Sequence, residues 1–270
     1  QLERNTLTER QPQVPMGTKR EILIDGDILI YTVALQNEEA VNWGDGLWTL
    51  HSYEDKCCGL IDEAIKKLKQ DLQANRVKIC LTSPTNFRKD VLPTYKDNRK
   101  AKRKPLILPV LRKHIMEHHK GIMWDNLEAD DVLGILATTP EPHFDVDKVI
   151  VSIDKDLKQI PVGVSSDGIT IDRVTPYQAD YWFITQALTG DAVDGYTGCP
   201  TVGIKTAEKI LGTDINVPLL DLWDKVLQAY DKKGYTEAEA LQQARCARIL
   251  RHGEYNKKTG EVKLWEPRKR

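Results

Sequence analysis

At 270 residues the chain is long enough for one large domain, or one with a small appendage, and it can bury a real core. A hydrophobic share of 40% beside 29% charged residues is that of an ordinary globular protein and excludes wholesale disorder. A net charge of −1 excludes a uniformly basic, phosphate-coating protein, so any nucleic-acid role has to come from local separation of the signs.

That separation is visible. Arg88, Lys89, Lys96, Arg99, Lys100, Lys102, Arg103 and Lys104 fall within one short stretch, opposed only by Asp90 and Asp97. Acids are therefore in surplus elsewhere, and they cluster. The five cysteines form no Cys-x-x-Cys pair, which speaks against a disulfide framework or a zinc ribbon and fits a reducing cytoplasm. No apolar run approaches the roughly 20 residues of a membrane span, and no charged-then-apolar leader is seen, so a chain neither exported nor anchored is expected.

In chain order, residues 1–20 are polar, carry Pro12 and Pro15 and show no period; they read as a flexible N-terminal tail, with Met16 just ahead of the ordered pattern. Glu21-Ile-Leu-Ile-Asp25 reads as a buried strand ending in carboxylates. A helix is expected over 28–36 and another over 53–74, where Leu60, Ile61, Ala64, Ile65, Leu68 and Leu72 recur at helical spacing, before a strand over 77–82. Strand, helix, strand makes a parallel sheet the default.

The basic stretch precedes a helix at about 106–119, then 121–124, then a helix opening near Leu127-Glu-Ala-Asp-Asp131. The clearest strand, 146–153, runs straight into Asp154-Lys-Asp156. Ligands of open α/β sheets gather beyond the carboxyl ends of strands, where Asp25, Asp27, Asp154 and Asp156 are placed. After Thr175 the pattern is helical, over 176–188, 205–211, 218–230 and 237–250, interrupted by a glycine-dense stretch at 190–206. The expected architecture is α/β: a mostly parallel central sheet flanked by helices over 21–174, with a helical lobe over 175–270.

The acids make a candidate metal site. Glu128 and Asp131 are three apart on a predicted helix and share a face, whereas Asp130 projects about 100° from Asp131. Asp154 and Asp156 point the same way from a strand end, and Asp191 and Asp194 repeat the three-residue spacing. Mg²⁺ takes hard oxygen ligands, and two ions about 3.5–4 Å apart would activate water and stabilise a leaving oxygen. Any one of these acids alone is more simply a cap or turn residue. Four clusters, each beside an apolar run or a glycine-rich turn, favour the site.

The ordered set Leu-Ile-Asp25-Gly, Asn-Phe87-Arg88, Tyr95-Lys96-x-x-Arg99, Leu-Glu128-Ala-Asp130-Asp131, Ser-Ile-Asp154-Lys-Asp156 and Gly-Asp191-Ala-Val-Asp194-Gly…Gly203-Ile-Lys205-Thr206 resembles the 5′ nuclease superfamily. That superfamily includes flap endonucleases, the 5′ nuclease domains of bacterial DNA polymerases and the 5′→3′ exonucleases of short-tailed bacteriophages. The likeness to the phage enzymes extends to Ala247-Arg-Ile-Leu-Arg251…Glu254-Tyr-Asn. It implies a PIN-like core with a basic arch at about 84–120 and a helix-three-turn-helix in the C-terminal lobe. It further implies a first metal near Asp25, Glu128 and Asp130 and a second near Asp131, Asp154, Asp156 and Asp194, with Asp191 in support.

By the same resemblance Arg88, Lys96 and Arg99 contact the scissile phosphate and the 5′ end, with Lys89, Tyr95 and Lys100 in the same DNA-binding segment. The resemblance also implies that Gly203, Lys205 and Thr206 grip duplex DNA, beside a K⁺ ion held by backbone oxygens. Two positions depart from the family pattern. Ser83 stands where most members carry a metal-site aspartate, which predicts weaker or water-mediated hold on the first metal, with Asp27 as a partial substitute. Gly195 replaces the usual asparagine.

Other features weigh differently. Phe87 and Tyr95 among the basic residues favour base stacking over a merely solvated charge run. Gly198-x-x-x-x-Gly203-Ile-Lys205-Thr206 is not a P-loop, because isoleucine separates glycine from lysine and no strand precedes it. His114 and His118 are four apart but lack the zincin glutamate, so they read as a solvated face beside His119. Trp124 and Trp182 are expected in the core.

The expected function is a Mg²⁺-dependent 5′→3′ exodeoxyribonuclease or flap endonuclease, with Mn²⁺ as substitute, leaving a 3′-hydroxyl and a 5′-phosphate. It would act as a monomer on double-stranded DNA with 5′ ends or flaps, and on RNA–DNA hybrids, in phage-type replication or host DNA degradation in the cytoplasm. The alternatives are a catalytically weak protein of the same fold that binds branched DNA, and an RNA-cleaving relative.

Overall fold

The computed structural model describes residues 19–99, 103–142 and 146–267. Residues 1–18 of the tail expected over 1–20, with Met16, lie outside the described residues, as do Lys100 and Lys102. Lys19 and Arg20, read as tail, instead open the first strand.

β1 (Lys19–Asp25) is the central strand, and its Ile22, Leu23 and Ile24 are buried on both faces. It turns directly into α1 (Gly26–Gln36). A hairpin of β2 (Glu39–Asn42) and β3 (Trp48–His51), not foreseen from sequence, leads to α2 (Glu54–Asp71) and then β4 (Arg76–Cys80). The basic segment holds the short α3 (Arg88–Val91) and α4 (Leu108–His118), and α5 (Ala129–Thr138) follows.

β5 (Val146–Val151), β6 (Gly163–Ser165) and β7 (Asp172–Arg173) complete a five-stranded sheet of order β4-β1-β5-β6-β7, parallel except for β7. One core cluster under α1, α2 and α4 covers one group of sheet residues. A second joins Leu23 and Ile150 to α5 and to Ile249 and Leu250.

The helical part comprises α6 (Pro176–Thr189), α7 (Ile204–Leu211), α8 (Leu219–Asp231) and α9 (Glu237–Ala247) around its own core of Phe183, Trp223, Tyr230 and Trp265. Thr175 opens α6 with a capping box and Pro176 at the first position, the reason the sequence pattern places that start well. Beyond α9 the described residues hold no further helix: they return to the sheet core and form the small hairpin of β8 (Tyr255–Asn256) and β9 (Glu261–Val262).

The loop between α6 and α7 depends on close backbone contact. A Cβ on Gly190 would lie 2.3 Å from the carbonyl carbon of Thr197, and one on Gly198 would lie 2.3 Å from the amide of Gly190. Both glycines also sit at positive φ. This pinch, with the Asp191–Tyr196 bridge, fixes the turn that carries Asp191 and Asp194.

Candidate active site

The carboxyl edge of the sheet opens into a cleft of about 1030 Å³, walled by the ends of β1 and β5, residues 82–84, the start of α5 and residues 190–194. Asp25 both ends β1 and caps α1. Its Oδ1 accepts from the Ile28 amide at 3.1 Å and its Oδ2 from the Ser152 hydroxyl at 2.9 Å. Ser152 Oγ accepts in turn from the Asp154 amide at 3.0 Å, tying two strand ends together. Asp154 caps the next turn by accepting from the Asp156 amide at 2.8 Å. Capping does not exclude a place in the cleft: Asp25 and Asp154 each organise backbone and also line the cleft, and a carboxylate has lone pairs for both.

Asp25, Asp130, Asp154 and Asp156 form no ion pair among the described residues, although all four line the cleft. Burial, then the charges of Asp27 and Asp154, raise Asp25 to about 6. Burial, then Asp25 and Asp154, push Asp130 well above the ordinary carboxylate range. Burial, then Asp154 and Asp191, raise Asp156 to about 7, and its buried Oδ1 has no hydrogen-bond partner. A hard divalent cation fits this donor set, because it relieves the repulsion and satisfies the orphaned oxygen.

Of the remaining acids, Glu128, Asp131 and Asp194 already have cationic partners. Glu128 is the N-cap of α5 and shares a capping box with Asp131. Its Oε1 pairs with Lys96, while its Oε2 accepts from Arg88 at 3.1 Å and from the Tyr95 hydroxyl at 3.0 Å. Burial alone would raise it, but Lys96 and Arg88 hold Glu128 at about 2. Asp194 is paired with Arg99 and, at 3.3 Å, with Lys96. Asp191 accepts from the amides of Val193 and Asp194 at 2.7 and 3.2 Å. Lys96 therefore stands between Glu128 and Asp194 at positive φ (57°), a conformation costly for a residue with a side chain. Gly195 gives it room: a Cβ there would approach the Lys96 amide to 3.3 Å.

Several sequence expectations change. Arg88 does not reach the cleft: it is 2% exposed, its guanidinium clasps Asp131 at 2.7 and 2.8 Å, and it donates to the carbonyls of Cys246 and Arg248. Asp131, wholly buried, spends its oxygens on Arg88 and on the amides of Glu128 and Leu250, which leaves none for a metal. Together they bolt the C-terminal segment to α5. Phe87 and Tyr95, at 4% and 2% exposure, are core residues unable to stack bases. A fork of five donors and a planar ring look the same in sequence whether solvated or buried.

Asp27 does line the cleft, but Arg112 and the Thr82 amide hold it at 3.0 and 2.9 Å. Ser83 is buried, with its hydroxyl accepting weakly from the amides of Thr85 and Asn126. Lys89 bonds the Tyr95 carbonyl and Asp97. Gly203, Lys205 and Thr206 are exposed at the start of α7. Trp124 and Trp182 are half-buried: Trp124 stacks on Tyr255, and Trp182 lies under Lys158. Ser152 and Arg112 were missed, since neither belongs to an acidic cluster or to the basic run near residue 96.

A sheet-edge cleft of converging carboxylates rimmed by lysine and arginine suits metal-assisted chemistry on a phosphate ester. A family model described as "5′-3′ exonuclease, N-terminal resolvase-like domain" matches residues 20–180, which take in Asp25 through Asp156. The exodeoxyribonuclease of Enterobacteria phage T3 is 30% identical, over 92% of this chain and 93% of its own length. The exonuclease of Escherichia phage T7 is 28% identical, over 91% and 93%. Bacteriophage T5 D15 protein, co-crystallised with metal ions, shares the fold with a TM-score of 0.60 at 15% identity, over 85% of this chain and 93% of its own. The chain belongs to the 5′-3′ exonuclease family and is a 5′ nuclease.

Proposed function

We propose that the protein is a Mg²⁺-dependent nuclease that hydrolyses DNA at or near 5′ ends, trimming duplexes or cutting flaps and leaving a 3′-hydroxyl and a 5′-phosphate. The observation that carries this reading is the split of the cleft acids: Asp25, Asp130, Asp154 and Asp156 form no ion pair among the described residues, while Glu128 and Asp194 are paired with Lys96 and Arg99. The names of the relatives agree, since T3 has an exodeoxyribonuclease and D15 flap endonuclease has been crystallised with DNA and metal ions.

Divalent cations bound there would supply an activated water and charge stabilisation at the leaving oxygen. Asp25, Asp130, Asp154 and Asp156 are the residues that would hold them, with Ser152 and the Ile28 amide fixing Asp25. Lys96 and Arg99 line the same cleft and are placed to hold the phosphate oxygens once DNA enters. Arg88 and Asp131 act on the reaction only by positioning α5. Lys205 and the exposed amides at the start of α7 suit a backbone phosphate of the duplex. The preceding turn carries Gly190, Gly195, Gly198 and Thr201 at positive φ, and a K⁺ ion held by its carbonyls belongs to the same proposal.

Use of Mn²⁺, attack on RNA in RNA–DNA hybrids, action as a monomer, and a role in phage-type replication or host DNA degradation are finer parts of this reading. The test is cleavage of a 5′-flap duplex, a blunt duplex and a matched RNA–DNA hybrid, each with Mg²⁺ or EDTA, on a denaturing gel. Short 5′ products that require Mg²⁺ support the proposal, and the favoured substrate separates trimming from flap cutting. Tight binding of branched DNA with no cleavage at any Mg²⁺ concentration would replace it with the DNA-binding alternative.

A further inference from the structure

On the opposite part of α4 from the cleft, three potential metal ligands meet. His114, near the end of that helix, and His119, its C-cap, both place Nε2 on one oxygen of Asp62 of α2, at 2.7 and 2.6 Å. The donor atoms of all three lie within 4.8 Å of one another. None of the three lines the nuclease cleft, to which α4 contributes Leu108, Pro109 and Arg112.

We propose that Asp62, His114 and His119 form a second metal site, one that takes Zn²⁺ or a similar late first-row cation in preference to Mg²⁺. Two imidazole nitrogens and one carboxylate oxygen suit zinc, whereas Mg²⁺ demands a nearly octahedral shell of oxygens. Ligands about 2.0–2.1 Å from a tetrahedral zinc lie about 3.3 Å apart. Each Nε2 now lies a hydrogen bond from the Asp62 oxygen, at 2.7 and 2.6 Å, so these two separations need open by less than ~1 Å, within the reach of side-chain rotation. The cation would take the place of the two ring N–H protons that now point at Asp62.

The site is recessed but reachable: the side chains of His114 and His119 are 14% and 22% exposed and that of Asp62 is 49% exposed. A fourth position remains for water or for His118, which is exposed and has its ring centroid 4.8 Å from that of His114. Because its ligands come from α2 and from the C-terminal end of α4, the site would clamp these two elements together. It is independent of the nuclease assignment, since its ligands differ from every residue placed there.

The test compares the full-length wild type with the double variant His114→Ala/His119→Ala and the conservative Asp62→Asn. Equilibrium dialysis against Zn²⁺ in excess Mg²⁺ is expected to show one fewer bound zinc in both variants. Loading with Co²⁺ is expected to give wild type a visible absorption band of four-coordinate cobalt that both variants lose, while their Mg²⁺-supported nuclease activity is unchanged. Equal zinc stoichiometry in all three proteins, or a cobalt band that persists in the variants, overturns the site.

Discussion

The two halves of the carboxylate cluster use the same side chain for opposite ends. In one, Asp131 and Glu128 are closed off by Arg88, Lys96 and Tyr95, and each charge is matched within hydrogen-bond distance. In the other, Asp25, Asp130, Asp154 and Asp156 form no ion pair among the described residues, and the hydrogen bonds that Asp25 and Asp154 accept come from backbone amides and Ser152. Matched buried charges make a joint, and unmatched ones keep a repulsion that a cation would relieve. Lys96 stands on the border, already paired yet open to the cleft.

The largest effect should come from the unmatched half. Asp130→Ala or Asp154→Ala is expected to abolish cleavage on a denaturing gel while leaving the circular dichroism spectrum intact; retained activity in either variant breaks the comparison. In the matched half Arg88→Ala should behave in the reverse sense. It strands Asp131 without a partner and should lower unfolding free energy by about 3–5 kcal/mol, read from urea melts. A loss of activity in this variant without a loss of stability would return Arg88 to the cleft.

On the border, Lys96→Ala is expected to lower kcat by about 10²–10³ with a much smaller change in stability, as removal of one positioned charge donor does. A smaller effect again concerns pH. Asp25 and Asp156 titrate at about 6 and about 7 against 3.8 for an ordinary aspartate, so the metal-free fold binds their protons more tightly than the unfolded chain. Its stability should therefore fall as pH rises from about 4 through about 7. Stabilisation by Mg²⁺ should grow over the same interval, because the cation competes with those protons; thermal melts with Mg²⁺ and with EDTA at several pH values check the sign. The mildest change is Lys205→Ala, expected to weaken duplex binding uniformly and to reduce the salt slope by about one unit.

Legibility in the sequence followed the physics of each element. The buried strands announced themselves as short apolar runs ending in aspartates, and the start of α6 by its cap and proline, so the parallel sheet and the acidic edge were readable. The hairpins at 39–51 and 255–262 were not, because four- and two-residue strands carry too little pattern. Within the site, position along the chain identified the acids but could not distribute the cations among them. Arg88 and Arg99 lie in one basic run, yet one is buried against Asp131 and the other half-open against Asp194. Asp62 escaped notice beside His114 and His119 for the same reason: the contact joins two helices far apart in sequence.

The most direct test of the split is Mn²⁺ binding to wild type, Asp130→Asn, Asp154→Asn and Asp131→Asn, followed calorimetrically at a temperature where all four are folded. The account predicts that Asp130→Asn and Asp154→Asn lose affinity for the ion, whereas Asp131→Asn keeps it while melting at a lower temperature. Folded Asp131→Asn protein that binds Mn²⁺ as poorly as Asp130→Asn would contradict it.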